Sequence, residues 1–367
     1  MSKIARILRG YKAVQYYKNY LLLSRGYEIY RSDYSLEKTE YITTVPASRF
    51  NRIAIKSRLL ARLLRLDLGP SCIIDDSNKI LICASKNIYL LDAETGVSSV
   101  DFRIPRGSKP LKLSEINVDG FAPGVYFGEY IYNPHKGEVR IYHRNIAGEW
   151  NVVYTFGSGE INHVHAIFPD PDGRCVYILT GDFGDGAGIW RAEDGFRKVE
   201  RFICEGQASR ACWLVPYDKR LYYATDTQLE VNYLCSALAE SKDKKKIIRH
   251  FPILGSSIYS ICNHSGKILF STAVEPDEVK GSKFLALFSN RRGPGIISDS
   301  AGVYFGSVNG SIELVLVAKK DWLPFRLFQF GSFHFPSGSL PLDGSIHAFG
   351  VALKGYDNST ILIEVTE

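Results

Sequence analysis

Val176-Tyr177-Ile178-Leu179-Thr180 is an apolar run that stops at a small residue, and the same arrangement returns along the whole chain. The other copies are Ile80-Leu81-Ile82-Cys83-Ala84, Val125-Tyr126-Phe127-Gly128-Glu129, Leu221-Tyr222-Tyr223-Ala224-Thr225, Ile268-Leu269-Phe270-Ser271-Thr272 and Val303-Tyr304-Phe305-Gly306-Ser307, with weaker ones near Leu21 and Ile346. Successive copies start 35 to 59 residues apart, mostly 43 to 51. Self-similarity at that period marks a repeat architecture, and four short strands fill one period.

The flanks of each copy supply those strands. A strand with an aromatic near its start follows, as in Ile88-Tyr89-Leu90, Ile141-Tyr142-His143 and Ile189-Trp190-Arg191, and leads into turn residues such as Glu193-Asp194-Gly195. A fourth strand comes after the turn, for example Val152 to Phe156. Ahead of each copy lies another short apolar strand ending in a turn, as in His165 to Phe168 before Asp170-Pro171-Asp172-Gly173. Strand, tight turn, strand is the grammar of an antiparallel meander. The reading is therefore all-β: one β-propeller domain over residues 1–367. Eight copies are visible, so eight blades are the alternative. The copies near Leu21 and Ile346 reduce the count to the preferred seven if both feed one shared closing blade.

Bulk properties agree with a large packed core. The 367 residues are 45% hydrophobic and 13% aromatic, with 22 Tyr and 20 Phe, a bias toward strands. Lys and Arg exceed Asp and Glu by 45 to 39, much of the excess lying in the first 65 residues, which suits an anionic partner. The seven cysteines include no CxxC pair, and Cys83, Cys175, Cys212 and Cys262 fall inside apolar patterns; they read as buried thiols of a reducing compartment. No run approaches 18 apolar residues, so the expectation is a cytoplasmic protein. A P-loop, a dinucleotide-binding glycine fingerprint, GxSxG and HExxH are all missing, and no basic stripe with RNA-binding signatures is present, which argues against nucleic acid.

Residues 48–68, SRFNRIAIKSRLLARLLRLDL, break the strand pattern. Leucines at near-helical spacing, with Arg58, Arg62 and Arg65 between them, predict a basic amphipathic helix inserted between the first two blades. It is either a cap on the side of the propeller or a contact with the inner face of a membrane, where the arginines would meet lipid phosphates.

In a four-stranded blade, residues just before the innermost strand and just after the second strand share one rim around the central funnel. Those positions hold His163, His165, Arg210, Ser256 and Ser257 on the one hand, and Glu129, Asp182, Asp185, Asp226 and Glu275 on the other. Each has a structural alternative: loop carboxylates beside glycine cap turns, and an arginine at the edge of a core pairs with a nearby acid. His163 and His165 weigh more, because alternate residues of a strand point the same way. Three chemistries fit. Paired carboxylates serve glycoside cleavage, with Arg210 on an anionic group. Elimination from a uronate needs His163 or His165 as base, Arg210 on the carboxylate and Tyr126 or Tyr130 at the leaving group. His163, His165 and Asp182 together form a weak divalent-metal set, so no cofactor is required.

Ser32-Asp33 and Asp194-Gly195, in the segments Ile29 to Thr39, Ile141 to Trp150 and Ile189 to Phe196, resemble degenerate Asp-box turns. The order H-V-H, D-P-D-G, T-G-D, G-I-W-R, S-R, T-D-T from Gly124 to Glu275 likewise resembles BNR-repeat, sialidase-like propellers of bacterial surface-polysaccharide loci. That resemblance implies a glycan in the funnel, acidic or lipid-linked, handled by a hydrolase, lyase or glycosyltransferase. The three-arginine cluster of true sialidases is not evident, which counts against that reaction. The rival class is a non-catalytic propeller scaffold, for which the rim should carry exposed apolar or aromatic patches.

Overall fold

The computed structural model describes residues 2–74, 78–181, 184–239, 247–262, 266–278, 281–341 and 344–365. Seven antiparallel sheets follow one another along the chain as the blades of a propeller. Blade 1 runs from Lys12–Tyr17 to Thr39–Thr44, blade 2 from Ser71–Ile73 to Ser98–Arg103, and blade 3 from Ser114–Ile116 to Trp150–Phe156. Blade 4 runs from His163–Asp170 to Lys198–Ile203, blade 5 from Val215–Tyr217 to Ile248–Pro252, and blade 6 from Ser260–Cys262 to Ile312–Lys319. Blade 7 combines Gly331–His334, Ile346–Val351 and Ser359–Val365 with the N-terminal strand Ser2–Arg9, which pairs antiparallel with Ser359–Val365 and closes the ring.

The repeated run is the second strand of each blade, and its composition follows from having a neighbouring blade on either side. Val176 and Ile178 pack with Ile141 and Tyr126 in the layer between blades 3 and 4. Tyr177 and Leu179, pointing the other way, pack with Leu221 and Tyr223 between blades 4 and 5. Tyr222 and Ala224 then meet Ile268 and Phe270 between blades 5 and 6. A strand buried on both faces loses the apolar–polar alternation and reads as a continuous hydrophobic run.

The count of seven arises differently from the sequence expectation. Leu21 lies in the second strand of blade 1 (Tyr20–Arg25), so it does not share a blade with Ile346. The surplus copy is Val303, in the third strand of blade 6, paired directly with the strand of Ile268. That third strand is also covered on both sides, Val303 in one core layer and Tyr304 in the next, which gives it the signature of a second strand.

Residues 48–68 form two short helices rather than one, α1 (Arg49–Ala54) and α2 (Arg58–Leu63). Ser48 Oγ accepts the Asn51 amide and Ser57 Oγ the Leu60 amide, so a second N-cap in mid-segment restarts the helix. Two further short helices are α3 (Lys283–Leu287), between the second and third strands of blade 6, and α4 (Phe325–Phe328), between blades 6 and 7. In an antiparallel meander, loops leaving a fourth strand and loops joining second to third strands emerge on one face. All four helices therefore stand on the rim that carries the histidines.

Candidate functional site

Blade 4's inner strand starts at His163, and the side chains of His163 and His165 both turn into the funnel, 5% and 3% exposed. The register shift between Val164 and Ala166 keeps them together: their Nε2 atoms are 3.1 Å apart. His163 Nδ1 donates to Ile131 O (3.2 Å) and His165 Nδ1 to Ala211 O (2.8 Å). With each Nδ1 proton spent on a carbonyl, both Nε2 lone pairs face the gap, and that gap accepts one proton shared by the rings. The Tyr130 ring stands edge-on to His163, with centroids 4.5 Å apart. The glycine of T-G-D has its reason here, since a Cβ on Gly181 would lie 2.2 Å from His165 Nε2.

Blade 5 completes a chain of contacts. Cys212 Sγ is 3.3 Å from His165 Nδ1 and donates to Asp226 Oδ2 at 3.2 Å. Arg210 Nη2 lies 3.5 Å from the same oxygen, and Arg210 Nη1 donates to Gln228 Oε1. Burial, then the Asp226 carboxylate, pushes the Cys212 thiol well above its ordinary range, so it stays protonated and serves as a donor rather than a nucleophile. Asp226, 3% exposed, keeps Oδ1 buried without a hydrogen-bond partner among the described residues.

Donor atoms of His165, Cys212 and Asp226 lie within 4.8 Å of one another, a nitrogen, sulfur and oxygen set of the type zinc accepts. Filling it would require the Cys212 thiol to ionise and His165 Nδ1 to give up its bond to Ala211 O. The set expected from sequence included Asp182, which lies outside the described residues.

Opposite the histidines is a second polar group. Lys109 Nζ and Lys12 Nζ reach the Asp67 carboxylate at 2.8 and 3.1 Å. Burial works against the Asp67 anion, but Lys109 and Lys12 outweigh it and hold the carboxyl below its usual range. The Tyr259 and His334 rings stack at 4.0 Å. Tyr259 ionises only far above its ordinary range, because of burial and then of Asp67 on one side and Cys212, Asp226 and Glu275 on the other. The two polar groups therefore share one electrostatic environment across the channel. Above Lys12 and Asp67, a cavity of about 990 Å³ opens under α1 and α2, with Arg25, Arg49, Arg52, Lys56 and Arg58 in its walls.

His334 carries a pH prediction. Burial, then Lys12, lowers its imidazole from 6.5 to about 3, so the native ring stays neutral while the unfolded chain takes up a proton near 6.5. The unfolded state binds more protons in that interval, so stability contributed by this site is whole above about 6.5 and declines toward pH 3. Urea titrations between those limits should show that decline, and His334→Asn should flatten it; an unchanged slope would remove His334 as the cause.

Several residues expected at the funnel do other work. Tyr126 is 2% exposed and sits in the core between blades 3 and 4, because strand alternation turns it away from the channel. Its hydroxyl donates to Ala122 O, its ring stacks on His143, and burial pushes the phenol up to about 12. Glu129 is 2% exposed and committed to Arg106, the Arg140 amide and the Tyr142 hydroxyl, a bracing role. Glu129→Gln should cost about 2 kcal/mol, less than the roughly 3–5 kcal/mol of a fully buried broken pair because Arg106 is partly in water; a denaturant melt within about 0.5 kcal/mol of the parent, roughly the scatter of surface changes, would refute that role. Asp185 is exposed on a short turn, and Glu275 is buried within electrostatic reach of Cys212 and Tyr259. Arg62 is 3% exposed, bound to Asp321 and Phe328 O, and Arg58 grips Asp357 through two hydrogen bonds of 2.8 and 2.6 Å. Those two arginines are turned away from any lipid, and only Arg65 of the three is exposed.

The fold and the lined funnel define the class: a seven-bladed β-propeller with a buried polar channel. No family model matches the chain, and no curated protein matches it. Similar solved structures include virginiamycin B lyase from Staphylococcus aureus (TM-score 0.58, 10% identity, 100% of each chain covered). Oligogalacturonate lyase from Vibrio parahaemolyticus gives TM-score 0.58 at 12% identity over 100% of this chain and 94% of that one. The WD40 propeller domain of Doa1 gives 0.55 at 12% identity over 100% and 98%. At these identities the likeness is one of fold. The neighbours are lyases and a WD40 domain alike.

Proposed function

We propose that the funnel binds an acidic glycan and cleaves it by β-elimination, in the setting of surface-polysaccharide metabolism. The observation that carries this reading is the contact chain from the His163–His165 pair through Cys212 and Asp226 to Arg210, buried at one rim. Elimination from a uronate removes the proton at C5, forms the C4–C5 double bond and breaks the bond from C4 to the leaving oxygen. The histidine pair takes the C5 proton into its gap. Arg210 neutralises the carboxylate on which negative charge builds. Tyr130, beside His163, gives its hydroxyl proton to the departing oxygen and is restored by water. Hydrolysis by paired carboxylates fits less well, since Glu129 is committed to Arg106. The lyase names of two structural neighbours agree with elimination without deciding it.

The second reading, a non-catalytic scaffold, is favoured by the exposed apolar side chains on the same rim. Calorimetry with uronate oligosaccharides and their carboxyl-reduced counterparts separates the two. The elimination reading expects binding of the acidic set only, weakened at least tenfold by Arg210→Ala. Equal binding of both sets, or none, would favour the scaffold.

A further inference from the structure

On α2, the amphipathic pattern is inverted relative to an ordinary surface helix. Arg58 and Arg62 turn inward to Asp357 and Asp321, while Leu59, Leu60, Leu63 and Leu64 are 40–50% exposed. Phe50 and Ile53 of α1 are 66% and 72% exposed, and Phe284, Leu285 and Trp322 exceed those of α2 at 68%, 70% and 75%. These elements adjoin: Arg62 binds Phe328 O of α4, α3 meets α4, and Asn290 Nδ2 donates to Trp322 O at 2.9 Å. Folded proteins rarely leave so large a contiguous apolar platform in water without a use for it.

Charge identifies what covers it. Residues 48–66, 281–298 and 322–341, which carry the platform, hold ten Lys and Arg and not one Asp or Glu. The remainder of the chain holds 35 cations (45 less ten) against all 39 acids, so these segments supply more positive charge than the whole chain's surplus of six. Two copies of such a face would repel each other across a symmetric contact, which argues against self-association. The acids packed against the platform, Asp277, Asp321 and Asp357, are each bound to one of its arginines, Arg291, Arg62 and Arg58. Apolar side chains among such an excess of cations match an anionic bilayer, where the former enter the interface and the latter meet phosphates.

We infer that the rim bearing α1, α2, α3 and α4 docks on an anionic lipid surface, with the apolar side chains inserted and Arg49, Arg52, Lys56, Arg65 and Lys283 on the headgroups. Arg58 and Arg62 hold the platform in shape from beneath and do not touch lipid. The cation-walled cavity under α1 and α2 then opens toward the headgroup layer, and the funnel mouth faces the membrane. This placement stands independently of the reaction proposed for the funnel.

Sedimentation of the full chain with phosphatidylcholine vesicles, with and without phosphatidylglycerol, tests it. The parent should pellet with the mixed vesicles at low salt, and raising the salt should release at least tenfold more protein. Phe284→Glu with Leu285→Glu, both at exposed positions that leave the core intact, should lower the bound fraction at least tenfold. Arg52→Glu with Lys56→Glu should abolish the preference for phosphatidylglycerol. A parent that stays in the supernatant at low salt, variants that pellet as well as the parent, or a parent dimer dissolved by the Phe284 and Leu285 changes would each overturn the inference. None of these outcomes bears on cleavage of water-soluble oligosaccharides, so the funnel reading is tested separately.

Discussion

Tyr223→Ala should destabilise the protein by about 3–5 kcal/mol, the range for truncating a large aromatic in a filled core. Tyr223 is 0% exposed in the layer between blades 4 and 5, packed with Tyr177, Leu179 and Leu221, and its hydroxyl donates to Ala208 O at 3.0 Å. Alanine leaves a cavity that two sheets cannot close without separating, and it orphans that carbonyl. Tyr223→Phe isolates the second term and should lose about 1 kcal/mol. Tyr41→Ala, at a position 54% exposed on an outer strand, should stay within about 0.5 kcal/mol of the parent. Urea unfolding by Trp fluorescence reads all three; equal losses at positions 223 and 41 would mean that the inter-blade layers do not carry the stability of the ring.

The largest functional effect is expected at the histidine pair. His163→Ala and His165→Ala should each lower turnover of an acidic glycan by about 10²–10⁴-fold, the usual contribution of a positioned acid–base group. The two losses should not add, because one shared proton cannot be lost twice. Arg210→Ala should weaken binding as well as turnover, whereas Cys212→Ser, which keeps a donor toward Asp226, should retain most activity. A Cys212→Ser variant as inactive as His165→Ala would point to a thiolate or a metal-bound sulfur instead.

How much of this was written in the sequence differs between ring and funnel. Blade layout was legible because second strands are covered on both faces, which leaves runs such as Val176 to Leu179 without apolar–polar alternation. The same physics disguised the third strand of blade 6 as a second strand and put the surplus copy at Val303. Strand alternation assigns Tyr126 to the inter-blade core, which removes it from the leaving-group position expected of Tyr126 or Tyr130. His163, His165 and Arg210 were singled out from their places before or at the start of inner strands, and Asp226 from its place just after a second strand. Lys12, Asp67, Lys109, Tyr259 and His334 were missed, since they stand singly and in no motif: Lys12 and His334 at ends of inner strands, Tyr259 just before one, and Asp67 and Lys109 in the loops that lead into blades 2 and 3. Cys212 was noticed only as a buried thiol. On α2, helical spacing located the leucines and arginines but not which side faces inward; Asp321 and Asp357 decide that, from more than 250 residues away in the chain.

The central claim is that the funnel is an eliminating active site for acidic glycans. The most direct measurement is ultraviolet absorbance while the purified protein is incubated with uronate oligosaccharides, because elimination creates a conjugated C4–C5 double bond that hydrolysis does not. A rising signal that disappears in His163→Ala and Arg210→Ala is the predicted result. New reducing ends without the chromophore, or bound oligosaccharide recovered intact, would contradict it.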